Sequence, residues 1–89
     1  MGTMKLMKEA APYPSQAIRL GHEGVVTLLL TFGRSGTPID IQIDESSGFR
    51  ELDKAAQDSA RSWRVTNAEC MSAKSAMVRV PVDFNLHKH

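Results

Sequence analysis

One cysteine, Cys70, is the only thiol in this 89-residue chain. It excludes an internal disulfide and any cysteine-based zinc site. Charge of one sign is equally scarce. Eleven Lys and Arg against ten Asp and Glu leave a net charge of +1, without the basic excess of a nucleic-acid binder. No apolar run approaches the roughly 20 residues that span a bilayer, and no signal-peptide pattern opens the chain. There is no glycine-rich phosphate loop and no GxSxG around Ser46-Ser47-Gly48. His22 stands alone in a turn, and His87 and His89 lie in a terminal tail. These absences leave no catalytic constellation, no cofactor site and no metal site. What remains is ordinary: 42% hydrophobic and 24% charged residues, too apolar for disorder and long enough for one small domain.

The chain is organised around residues 49–64, FRELDKAAQDSARSWR. Phe49, Leu52, Ala55, Ala56, Ser59, Ala60 and Trp63 recur at helical spacing along one face. Arg50, Glu51, Lys54, Gln57, Asp58, Arg61 and Arg64 take the other. Ser46, Ser47 and Gly48 can supply the N-cap. Acids sit near the positive end of this helix and arginines near the negative end. Its apolar face is thin in the middle, so the helix lies close on a flat surface, pinned by Phe49, Leu52 and Trp63. That surface has to be a sheet.

The flanking chain supplies one. In residues 24–32, GVVTLLLTF, Val26, Leu28, Leu30 and Phe32 share the core face. Val25 and Leu29 on the other face leave apolar surface uncovered, a hint of a partner or a dimer. Gly33-Arg34-Ser35-Gly36 is a tight turn with two glycines available for positive φ. Ile39, Ile41 and Ile43 then alternate with Asp40, Gln42 and Asp44, which makes a hairpin. Residues 65–75 read as a loop. In residues 77–86, MVRVPVDFNL, Val78, Val80, Val82, Phe84 and Leu86 point to the core. Met77, Arg79, Pro81, Asp83 and Asn85 point out. Pro81 cannot donate to a ladder, so this last strand is an edge. Near the N-terminus, Pro12-Tyr13-Pro14 is extended and opens a short helix over 15–20 that faces Ala17, Ile18 and Leu20 inward. Gly21 ends it.

A right-handed crossover over the long helix puts the last strand beside the first. The fold class is therefore α+β: a two-layer sandwich of a three-stranded antiparallel or mixed sheet, order 2-1-3, with one short and one long helix on one face. Residues 1–11 read as a linker remnant with an engineered opening MGTM, 12–86 as the domain and 87–89 as a tail, so the chain reads as a soluble fragment of something longer.

Tyr13-Pro14, Glu23-Gly24-x-Val26, the turn 33–36, Ile41-Gln42-Ile43, Ser46-Ser47-Gly48, Leu52-Asp53-x-Ala55, Trp63-Arg64 and Val78-Arg79-Val80-Pro81-Val82-x-Phe84 follow one another in order. At these spacings the chain resembles, from Pro12 to Leu86, the C-terminal domain of the TonB family of Gram-negative energy transducers. No single motif is specific; the ordered set is. The chain departs from the family pattern at Val65 and Asn67, where an aromatic and a proline are frequent, and at Ser15 and Gln16, where a basic residue is frequent. The loop with Cys70 and Met71 is also unusual.

The resemblance implies a periplasmic domain of an inner-membrane-anchored protein with a proline-rich spacer, joined to an ExbB/ExbD-type motor complex. It implies no enzyme activity. The domain would bind the TonB box of outer-membrane receptors and couple proton-motive energy to import of siderophore-, haem- or vitamin-type nutrients. Strand addition at an exposed sheet edge suits that role. The partner-contact candidates are Tyr13, Pro14 and Gln16, together with Met77, Val78, Arg79, Val80, Pro81, Val82, Asp83, Phe84 and Asn85. An open edge also permits a homodimer or a strand swap. Two other readings compete: a TolA-like or other periplasmic scaffold of the same fold with no transport role, and an enzyme or regulatory domain using Cys70 as a redox-sensitive thiol.

Overall fold

Strand β2, Gly24–Gly33, is the centre of the molecule in the computed structural model, which describes residues 5–68 and 74–86. Around it, in chain order, lie β1 (Lys5–Met7), α1 (Ser15–Leu20), β3 (Pro38–Glu45), α2 (Arg50–Ala60), β4 (Arg64–Thr66) and β5 (Ser75–Phe84). The main sheet has order β3-β2-β5 and is antiparallel throughout. This is the expected 2-1-3 arrangement. β2 reads as central because alternate residues Val26, Leu28, Leu30 and Phe32 are all fully buried beneath the helical layer. α2 packs on β2 and β3, and α1 leans on α2.

The long helix is shorter than its periodicity suggests. Phe49 is its N-cap residue and no side chain caps it. Ser46 and Ser47 turn instead to the Asp53 carboxylate, one turn inside the helix. Both hydroxyls and the Ser47 N–H donate to it. At the other end, Arg61, Ser62 and Trp63 each donate to the carbonyl three residues back. This tightening ends the helix and still delivers Trp63 to the core, only 1% exposed. Leu52, Ala56 and Ala60 are fully buried along the seam.

Several sequence readings are corrected by the packing. Ile18 and Leu20 are 51% and 58% exposed. A six-residue helix has one line of contact, and Ala17 occupies it. In the hairpin turn only Gly36 takes positive φ, at 85°, while Gly33 stays in the strand. β3 is irregular: register shifts near both ends leave Ile39 and Ile43 solvent-accessible, and Ile41 alone of the three packs on the core.

The segment read as a loop from residue 65 begins as β4, and β1 arises within the stretch read as a linker. The two pair antiparallel, Lys5↔Thr66 to Met7↔Arg64, as a second, two-stranded sheet. Cys70, Met71 and the tail 87–89 lie outside the described residues.

Candidate functional site

The outer side of β5 is unpaired by any strand among the described residues. β5 pairs with β2 without a register shift from Gly33↔Ser75 to Gly24↔Phe84. In an antiparallel strand the N–H and C=O of one residue point the same way, and neighbours alternate. The Gly33 N–H donates to the Thr37 carbonyl at 3.3 Å, on the β3 side. Odd-numbered residues of β2 therefore aim their backbone at β3, and even-numbered residues aim theirs at β5. Through the register, Ala76, Val78, Val80, Val82 and Phe84 bond to β2. The backbone groups of Ser75, Met77, Arg79, Pro81 and Asp83 point away from the sheet. Pro81 thus sits where its missing N–H costs no internal ladder bond, as an edge proline should.

The side chains divide along the same alternation. Val80 and Phe84 are buried, and Val78 and Val82 half-buried, beneath the helices. Met77, Arg79, Pro81 and Asp83 are exposed on the helix-free face. Arg79 reaches across the sheet to Asp44 at 3.0 Å. Of the expected contact residues, then, Val80 and Phe84 are turned inward in both backbone and side chain, and the exposed four present outward backbone groups as well as side chains. Asn85 follows the strand, half-buried.

Tyr13 joins this edge through Phe84, edge-on at a ring-centroid distance of 5.4 Å. Its hydroxyl donates to the His22 carbonyl. Partial burial, then the carboxylates of Glu23 and Asp83, raise its pKa above the ordinary phenol value. Pro14 is the N-cap of α1, and its carbonyl accepts from Ile18. Gln16 is exposed on α1. The fold brings Tyr13 to β5 and spends Pro14 on starting the helix.

Two features of this region escape the sequence reading. His22 is not alone: its Nδ1 hydrogen-bonds the Glu51 carboxylate, and its ring stacks on Phe49 at 4.0 Å. The His22 bond, first among the causes, lowers the Glu51 pKa. The second is residues 8–11, which run beside the far end of β5. With Trp63 and residues 81–84 they enclose a groove of about 370 Å³. Trp63 Nε1 donates to the Glu9 carbonyl at 3.0 Å. The one signal for it was chemical: a buried indole N–H needs an acceptor.

A two-layer α+β domain whose last strand, among the described residues, keeps register and leaves its outer edge unpaired has the architecture of a peptide- or protein-interaction module. Comparison with known proteins makes the class specific. The family described as Gram-negative bacterial TonB protein C-terminal matches residues 9–86, and the chain belongs to it.

A protein TonB of Xanthomonas campestris pv. campestris is 38% identical over 76 residues, covering 84% of this chain and 34% of that protein. The protein tonB2 of Pseudomonas aeruginosa is 39% identical over 83 residues, covering 92% and 31%. The chain thus spans about a third of the curated relatives it matches. The NMR solution structure of the Helicobacter pylori TonB C-terminal domain superposes with a TM-score of 0.64 at 24% identity, covering 85% of this chain and 80% of that one. At that identity it shows the fold. The family is one of energy transducers rather than enzymes.

Proposed function

We propose that this domain acts in the periplasm as the receptor-binding end of a TonB-type protein. It takes the TonB box of an outer-membrane receptor as an added strand on β5. The single observation that carries this reading is the edge itself. β5 keeps register over all ten residues. The opposite edge, β3, is broken by two register shifts and begins with Pro38. Bulges and a terminal proline blunt an edge, so β5 is the better template. Main-chain hydrogen bonds would supply affinity, and the exposed Met77, Arg79 and Asp83 side chains would supply selectivity.

Many backbone bonds loaded together let such a contact carry a pull into the receptor. The rest of the parent protein would provide the inner-membrane anchor and the ExbB/ExbD-type partner, and the imported cargo would be a siderophore, haem or vitamin-type nutrient. Self-pairing of β5 in a dimer is the natural competitor for the same edge.

Titration of the ¹⁵N-labelled domain with TonB-box peptides tests the reading. Amide shifts should concentrate on residues 75–84 and on Tyr13. Shifts confined to β3, or none on a folded monomer, would sink it.

A further inference from the structure

We propose, given that β5 is the docking edge, that Pro81 sets the register and the end of the strand added to it. Met77 and Arg79 each turn both an N–H and a C=O outward, by the alternation fixed at the Gly33–Thr37 bond and the β2–β5 register. A strand laid beside them closes its ladder on both residues. Pro81 turns out a carbonyl alone. A partner carbonyl placed opposite its ring nitrogen would lose its water and gain no donor, and an acceptor buried without a partner costs more than a single hydrogen bond returns.

Past Pro81 the edge changes character as well. Residues 8–11 run alongside it, tied to the core by the Trp63–Glu9 hydrogen bond. What lies between them and residues 81–84 is a groove with Ala10, Ala11, Trp63, Val82 and Phe84 along it and the charged Lys8, Glu9 and Asp83 beside them; its surface is mostly apolar. It suits apolar side chains better than a further length of ladder. The ligand that fits is an extended peptide whose backbone pairs over 75–79, leaves the ladder at Pro81 and turns an apolar side chain into the groove.

The Pro81 side chain is exposed and its nitrogen faces away from the sheet, so replacing it leaves the core and the β2–β5 ladder intact. P81A and P81V both restore an outward N–H while differing in side chain. The test is peptide affinity together with amide hydrogen exchange, free and bound to a synthetic TonB-box peptide. In the unmodified domain, bound peptide should slow exchange at Met77 and Arg79 and leave Asp83 unchanged. In both variants the new amide at 81 and that of Asp83 should gain protection, and affinity should rise about fivefold for each hydrogen bond added.

Protection of Asp83 already present in the unmodified domain would overturn the assignment while leaving β5 as the docking edge. So would variants that bind as the unmodified domain does. A bound peptide that protects no residue from 75 to 84 would overturn the docking edge itself, and the role of Pro81 with it.

Discussion

Asp53 shows how one side chain holds an element in place. It sits in the first turns of α2, and its carboxylate gathers the Ser46 hydroxyl and the Ser47 hydroxyl and N–H. Burial raises its pKa, but these three bonds outweigh burial and bring the pKa below the ordinary carboxylate value. A carboxylate depressed in the folded state contributes stability that is complete above its unfolded pKa, about 4. That contribution is lost as pH falls through the lower, folded value. Glu51, lowered first by its bond to His22, acts with the same sign. Asp53→Asn should therefore cost about 1 kcal/mol at neutral pH and flatten the loss of stability on the acid side. Urea unfolding across a pH series checks this; an unchanged acid slope in the variant would contradict it.

Among the elements, the junction of the hairpin turn with β4 is the most tightly specified. Gly36 lies at φ 85°, its N–H bonds Gly33, and its carbonyl accepts from Val65 at 2.8 Å. A Cβ at Gly36 would stand 2.6 Å from the Val65 carbonyl oxygen. Gly21, which ends α1 at φ 69°, has nothing within 4 Å of the same position. Gly21→Ala should cost roughly 1–2 kcal/mol, the left-handed penalty alone. Gly36→Ala should cost clearly more, because the backbone of β4 has to move. Denaturation midpoints of the two variants give the comparison, and equal losses would show that β4 yields freely. The turn residues were legible in the sequence. That the turn docks on β4 was not, because the contact spans 29 residues of chain and no local pattern encodes it.

At the scale of the whole molecule, two sheets of unequal weight share one core. The three-stranded sheet carries Val26, Leu28, Leu30, Phe32, Val80 and Phe84, all buried. The β1–β4 pair adds three residues on each side, with Leu6 and Val65 partly buried against the core. A chain lacking residues 1–7 should keep the main sheet and the Trp63–Glu9 bond, and lose roughly 1–2 kcal/mol, the partial burial of one leucine and a few net hydrogen bonds. Circular dichroism and urea unfolding would check it; loss of cooperative unfolding would show that the small sheet is integral.

The sequence by itself determined the α+β class, the strand order and the buried faces of β2, α2 and β5. Alternation in residues 77–86, the heavier apolar set on the even-numbered face of residues 24–32 and helical spacing in 49–63 each favour one way of burying their apolar sets. Pro81 likewise marked its strand as an edge, because a missing donor is a local covalent fact. Tertiary structure alone decided the rest. KLM and RVT are too short to show a period, and they became strands only because folding set them side by side. Ile18 and Leu20 stayed exposed because a short helix had room for Ala17 and nothing larger. Which of Pro81's neighbours turn their backbone outward follows from the pairing register with β2, and register is a relation between strands rather than a property of either one.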